Sequence, residues 1–208
     1  MIEKNGFILA KSAIPKTTCS LLSRAFRLEL ELKNERINKN GLCKVYNEII
    51  KNKQHFVKEV DQGIGTHDMQ YAYAPFESLM VEIQPIIEQI CDKKLYPTYS
   101  LVRIYQKGNK LIKHTDRPSC EYSVTACIDN IGGSWAIWVE GYNGEEYEVF
   151  LEPGDILVYK GCDLVHWRDV FEGQEQMQCF MHYVDKDGPN ASCKWDFRNG
   201  LGREAIVS

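Results

Sequence analysis

The chain has no apolar run near 18 residues, so no membrane-spanning helix is expected. It opens Met1-Ile2-Glu3-Lys4-Asn5-Gly6, without the basic start and apolar core of a signal peptide, and no targeting segment is expected. Its eight cysteines (Cys19, Cys43, Cys91, Cys120, Cys127, Cys162, Cys179, Cys193) form no C-x-x-C pair, and several sit in apolar strand patterns where cysteine behaves as a small hydrophobe. Reduced thiols and a cytoplasmic setting are the expectation. Basic residues are not in excess: 25 Lys and Arg stand against 29 Asp and Glu, a net charge of −4. Non-specific binding to a phosphate backbone is therefore disfavoured, and nucleic acid is not an expected partner. Internal repeats and low-complexity tracts are also lacking, and the oligomeric state stays open.

What is present is enough chain for one domain. At 208 residues it can bury a core without disulfides or structural metals, so residues 1–208 are read as one unit. Residues 1–96 read as helical support. Pro15 to about Glu35 carries Leu21, Leu22, Ala25, Phe26, Leu28, Leu30 and Leu32 at amphipathic spacing, with Thr17 or Thr18 as N-cap. A second helix begins near Pro75, a residue suited to the first turn, and Pro85 should break or kink it. Between them, Asn34 to Met69 is polar and glycine-interrupted, with one short helix at Tyr46-Asn47-Glu48-Ile49-Ile50. It reads as a surface connection or a lid.

Residues 97–185 read as β. Leu101–Gln106, Tyr122–Ile128, Ile156–Tyr159, Leu164–Arg168 and Met177–Tyr183 are short, apolar and β-branched, with turn residues between them. Even spacing of this kind predicts a sandwich or barrel rather than βαβ units. Residues 186–208 form a tail whose Trp195-Asp196-Phe197-Arg198 is expected to fold back on the barrel.

The chemistry sits in His114-Thr115-Asp116 and, about 50 positions on, His166. Residues i and i+2 of a strand share a face, so His114 and Asp116 can reach one metal while Thr115 points away. Two imidazoles and one carboxylate are the ligand set of the facial triad that holds non-haem Fe(II) and leaves positions open for a co-substrate and O₂. On one strand after it, Thr125, Cys127 and Asp129 alternate and could line a pocket floor. Trp135, Trp138 and Trp167 read as packing, and His182 as a core or rim histidine.

In order, Tyr105, Gly108, His114, Asp116, the Gly154-Asp155 turn and His166 resemble the pattern of the Fe(II)/2-oxoglutarate-dependent oxygenases, in the branch of the prolyl 4-hydroxylases. The resemblance covers about residues 97 to 185. The stretches around His114–Glu121 and Gly161–Arg168 also look like a group of poorly characterised microbial and phage oxygenases. It implies a mainly β fold: a double-stranded β-helix, the cupin-like jelly roll, with N-terminal helices packed on one sheet. It implies Fe(II) at His114, Asp116 and His166, 2-oxoglutarate chelating it, ascorbate as a supporting reductant, and Tyr105 hydrogen-bonding near 2-oxoglutarate. The activity implied is hydroxylation of an unactivated C–H bond with release of succinate and CO₂. Asp116, standing where a halogenase needs room for halide, argues for hydroxylation over halogenation.

One departure matters. The branch places a Lys or Arg about ten residues after the second histidine, to pair with the far carboxylate of 2-oxoglutarate. Here that region reads Gly173-Gln174-Glu175-Gln176. A buried carboxylate needs a charged partner, preferably a fork. Arg168, two residues after His166 and on the same face, is the expected anchor, with Arg103 and Lys113 as lesser candidates. Peptidyl proline is the substrate the resemblance favours, while a free amino acid or another small molecule stays open. So do a cupin-like isomerase or hydrolase using Zn²⁺ or Mn²⁺ at the same ligands, and a non-catalytic β-sandwich interaction protein.

Overall fold

A computed structural model describes residues 2–40 and 69–202. The short helix expected at Tyr46–Ile50 and most of the Asn34–Met69 connection lie outside the described residues. Among the described residues, ten strands and two long helices follow in the order β1 (Phe7–Ala10), α1 (Lys16–Asn40), β2 (Met69–Tyr71), α2 (Ala74–Cys91), β3 (Leu95–Gln106), β4 (Leu111–His114), β5 (Tyr122–Ile131), β6 (Ile137–Glu140), β7 (Glu146–Val149), β8 (Ile156–Lys160), β9 (His166–Arg168) and β10 (Glu175–Asp185). Short 3₁₀ turns occupy Pro118–Cys120 and Ala191–Phe197.

The strands form a six-stranded sheet, β1-β8-β5-β10-β3-β2, and a four-stranded sheet, β4-β9-β6-β7, with antiparallel pairing throughout. From β3 to β10 the chain alternates between the two sheets, except that β6 and β7 form a hairpin within the smaller one. That winding is a double-stranded β-helix, as the resemblance implied.

Side-chain alternation sorts the large sheet into two faces. Val102, Ile104, Val124, Ala126, Ile128, Ile156, Val158, Met177, Cys179, Met181 and Tyr183 form one apolar core with Leu22 and Phe26 of α1 and Phe76, Met80, Ile83 and Ile87 of α2. The other face looks into the barrel and carries Arg103, Tyr105, Ser123, Thr125, Gln176, Gln178 and His182, all buried. The helices thus cover the outside of the large sheet.

Three local expectations are corrected. The first helical bond of α1 runs from the Cys19 N–H to the Pro15 carbonyl, which puts Thr17 and Thr18 inside the first turn rather than at the N-cap. Pro75 does sit in the first turn of α2, but the helix runs unbroken past Pro85 to Cys91. The carbonyl that Pro85 cannot bond belongs to Val81, which is exposed to water. Beyond the two helices, residues 1–96 also supply β1 and β2 at the edges of the large sheet.

The tail folds back as expected. Trp195, Asp196 and Phe197 all take left-handed φ (56°, 54° and 61°), which costs about 1–2 kcal/mol per residue. Asp196 receives both Arg117 nitrogens at 2.7 and 2.8 Å and the Tyr71 hydroxyl at 2.5 Å. Arg198 is buried against Glu77 at 2.6 Å and donates to the Thr98 carbonyl at 2.8 Å.

The Gly154-Asp155 turn ties β1 to β8. Gly154 has φ +98°, and a Cβ there would collide with the Ile14 carbonyl. The Asp155 carboxylate accepts from the Ser12 and Glu152 amides, both at 2.9 Å, and from Lys11 at 2.8 Å. Burial raises its pKa, but Lys11 and the two amides outweigh burial and hold it below the usual range. A depressed folded-state pKa gives stability that is present above the unfolded value and lost as pH falls through the folded one. Asp155→Asn should therefore destabilise by about 1–2 kcal/mol at neutral pH. The gap from wild type should narrow below about pH 4, read by urea denaturation across pH.

Candidate metal centre

His114 and His166 face each other as a cross-strand pair at the junction of β4 and β9, their rings 4.2 Å apart. Each Nδ1 lies on the carbonyl of the residue two before it: His114 on Ile112 at 2.8 Å, His166 on Leu164 at 2.9 Å. A carbonyl can only accept, so Nδ1 carries the proton and Nε2 is left with its lone pair. Both Nε2 atoms turn toward Asp116 Oδ1, at 3.7 and 3.5 Å.

Asp116 is not on the strand, as the i, i+2 expectation had it; β4 ends at His114. It is brought to the histidines by its own N–H, which donates to the Gly161 carbonyl at 2.8 Å. Gly161 has no room for a side chain: a Cβ would collide with the Cys120 carbonyl, the Ser123 hydroxyl and Asp116 Oδ2.

The ligand atoms of His114, Asp116 and His166 all lie within 4.8 Å of one another. Bonds of about 2.1 Å to a first-row divalent ion set neighbouring donors about 3 Å apart, so the two histidine nitrogens have only to draw in a little toward Asp116 Oδ1 around a bound ion. Two nitrogens and one carboxylate oxygen on one side of a cation suit Fe(II) and leave its other side open. The residues present therefore fit the implied metal.

The second carboxylate oxygen is also fixed. Asp116 Oδ2 accepts from Ser123 Oγ at 2.7 Å, and Ser123 Oγ lies 2.9 Å from His182 Nδ1. Burial pushes the Asp116 carboxyl up, but in acid, where His166 and His182 are protonated, His166 above all and the Ser123 hydrogen bond outweigh burial and hold it down at about 2. His182 is pushed down to about 4 by burial, against the pull of Asp116, and is neutral at pH 7. It can thus donate Nδ1–H to Ser123 while Ser123 donates onward to Asp116. Tyr159 completes the floor, with its hydroxyl 3.5 Å from His166 Nε2.

Deeper in the barrel, two strand positions beyond His166, lies Arg168. It is 1% exposed. Nη1 donates to the Trp135 carbonyl at 2.7 Å, Nη2 reaches Thr125 Oγ1 at 3.5 Å, and Nε has no partner. Among the described residues no carboxylate pairs with it, and burial lowers its pKa. Gln176 and Gln178 flank it, and each leaves a buried atom unbonded: Gln176 Oε1 and Gln178 Nε2. Thr125 bonds Gln178 at 3.1 Å. An isolated buried guanidinium is costly, so this is a place shaped for an anion.

The other expected pocket residues fall as follows. Tyr105 is buried, edge-on to Trp135 at 4.9 Å, in an aromatic cluster with Phe171. Cys127 packs among Val139, Leu157, Tyr159 and Leu164, and burial pushes its thiol up to about 12. Asp129 does not line the pocket floor; its carboxylate accepts from Ser23 and Arg27 of α1, past a register shift in the β5–β10 ladder. Arg103 is buried on the inner face above the Tyr105 ring. Lys113 points outward, to Glu146 and the Trp167 ring, and is no anchor candidate. Trp138 and Trp167 stack on that outer face, as packing.

Sequence reasoning passed over Ser123, Tyr159 and the polar use of Gln176 and Gln178. A signal was there: Gln176, Gln178 and His182 share one parity of β10 against Met177, Cys179 and Met181, as Ser123 and Thr125 do against Val124 and Ala126 in β5.

No protein-family model and no curated protein matches the sequence. Solved structures do. The chain is similar to a prolyl-4-hydroxylase from Pseudomonas putida, at 12% identity and TM-score 0.57, over 88% of this chain and 95% of that one. It is similar to the viral collagen prolyl hydroxylase of Paramecium bursaria Chlorella virus-1, solved with 2-oxoglutarate, at 10% identity and TM-score 0.56, over 88% and 98%. It is similar also to SnoK, a non-haem α-ketoglutarate-dependent carbocyclase of nogalamycin biosynthesis, at 12% identity and TM-score 0.64, over 89% and 82%. The fold is that of the 2-oxoglutarate/Fe(II) oxygenases. At these identities the likeness is one of fold, and the chemistry has to be argued from the residues.

Removing the Ser123 hydroxyl would leave Asp116 Oδ2 without its donor. Groups that orient a metal ligand typically cost 10–100-fold in metal affinity when lost. Ser123→Ala should weaken Mn(II) or Co(II) binding by about tenfold or more, measured by calorimetry on the metal-free protein.

Proposed function

We propose that this chain is an Fe(II)- and 2-oxoglutarate-dependent oxygenase that hydroxylates an unactivated C–H bond. The observation that carries the reading is the pairing of two features in one barrel: three converging ligand atoms at its mouth and an anion-seeking, fully buried Arg168 behind them. Bound iron, with 2-oxoglutarate and O₂, supplies the oxidation, one oxygen atom entering the substrate and the other the succinate formed with CO₂.

The protein's own part is to bind, orient and exclude. His114 and His166 present Nε2 because their Nδ1–H groups are held on backbone carbonyls, and Asp116 is kept anionic. Arg168 offers a charged fork to the far carboxylate of 2-oxoglutarate, and Thr125 and the Gln176 and Gln178 amides complete the seat. Tyr105, Trp135 and Phe171 wall that seat from water.

Peptidyl proline is the first substrate class to try, on the likeness to two prolyl hydroxylases. A small-molecule substrate is favoured by the higher TM-score to SnoK, an enzyme of nogalamycin biosynthesis. A cytoplasmic setting fits seven described cysteines with free thiols. Among the described residues no helix is long and apolar enough to cross a membrane.

The test is succinate release from labelled 2-oxoglutarate, with Fe(II) and ascorbate, against proline peptides, free amino acids and other small molecules. His114→Ala, Asp116→Ala and His166→Ala should each abolish Fe(II)-dependent turnover while the circular dichroism spectrum stays native. Full activity in any one of them refutes the ligand set.

Arg168→Met should weaken 2-oxoglutarate far more than metal. A broken buried charge pair costs about 3–5 kcal/mol, or roughly two to four decades of affinity. Arg168→Lys should recover only part, because the fork is lost. An affinity within about threefold of wild type in Arg168→Met would place the anchor elsewhere.

A further inference from the structure

The residue after the Asp116 ligand is Arg117, and it is held in a way that the barrel alone does not require. Its guanidinium takes both oxygens of Asp196 and also donates to Ser119 Oγ at 2.9 Å. It lies over the Tyr99 ring at 4.7 Å, and the Tyr99 ring lies 4.5 Å from that of His182. His182 bonds Ser123, and Ser123 bonds Asp116. The Arg117 carbonyl is taken as well, by the Cys120 N–H at 2.8 Å and Cys162 Sγ at 3.3 Å. Asp196 therefore reaches Asp116 by two routes: through the peptide bond after it, and through Tyr99, His182 and Ser123.

Asp196 is delivered by the strained turn. Tying the tail down does not explain the strain, because the buried Arg198–Glu77 pair, beyond the turn, already does so. Nor does packing, since Phe197 is left-handed and 73% exposed. What the three left-handed residues achieve is to aim the Asp196 carboxylate at Arg117 and Tyr71. Strain of this kind persists only where surrounding contacts over-determine it, and it collects at functional sites.

We infer that Asp196 is a positioning residue for the metal centre: through Arg117 it fixes the backbone that carries Asp116. This rests on the metal-centre reading above. The C-terminal turn is thus part of the ligand set's support, although it lies some eighty residues from Asp116 and outside the barrel strands.

The test uses the full chain and Mn(II) alone, by calorimetry, with Co(II) visible absorption as a report on ligand geometry. Asp196→Asn keeps the shape and the tolerance of left-handed φ but removes the charge. Arg117→Met leaves the turn's backbone alone. Each should lower Mn(II) affinity about tenfold and alter the Co(II) spectrum. The double variant should bind no more weakly than the weaker single, since both break one link.

Folded Arg117→Met that binds Mn(II) within about twofold of wild type overturns the inference, even if its melting temperature has dropped, because a merely structural tie would do that. The same variant decides the matter should Asp196→Asn fail to fold. Wild-type protein that binds no Mn(II) overturns the metal-centre reading itself, and this inference with it. Wild-type binding with unaffected variants overturns the inference alone.

Discussion

The register between β4 and β9 is the constraint on which the site depends. His114 opposes His166 directly, just past a register irregularity between Leu111 and His114, so a slip of one residue in either strand would turn its imidazole outward. It would put Lys113 or Trp167 in the histidine's place. The outer face holds the register: Trp167 stacks on Trp138 across β9 and β6, and Lys113 lies over the Trp167 ring and pairs with Glu146 of β7. Beneath, Val139 opposes His166 from β6. Asp116 joins only because Gly161, at the turn between β8 and β9, offers a carbonyl and no side chain.

The large sheet explains how one fold can be both stable and reactive. Its helix side is mainly apolar, and that burial stabilises the domain. Its barrel side holds Arg103, Ser123, Thr125, Gln176, Gln178 and His182, groups that cost stability unless bonded. Near Asp116 they are bonded to one another. Around Arg168 they are bonded only in part, Thr125 to Gln178 and to Arg168, and Arg168 Nε and Gln178 Nε2 are left as donors that a ligand's oxygen atoms would satisfy. An apolar barrel would be more stable and would bind nothing.

Much of this was legible in the chain. The H-x-D…H spacing picked out three residues whose donor atoms converge, period-2 patterns located the main strands, and the missing cation near Gln176 directed attention to Arg168, which the fold buries in the barrel. The rest was hidden for physical reasons. Asp116 works from a turn, so strand parity reached it by the wrong route. Asp129 follows a register shift, which reverses the face that alternation assigns. Thr17 and Thr18 look like caps, but the chain enters α1 at Pro15, whose carbonyl accepts the first bond. Asp196 and Arg117 are distant in sequence, and nothing in either local pattern announces their pairing.

If one barrel holds a metal and 2-oxoglutarate together, each must strengthen the other's binding. Calorimetric titration of 2-oxoglutarate into metal-free and Mn(II)-loaded protein, without O₂, measures that coupling directly. Binding that is at least about tenfold tighter with Mn(II) present is the expected result. Equal affinity in the two forms, or no binding to the Mn(II)-loaded protein, would contradict the account.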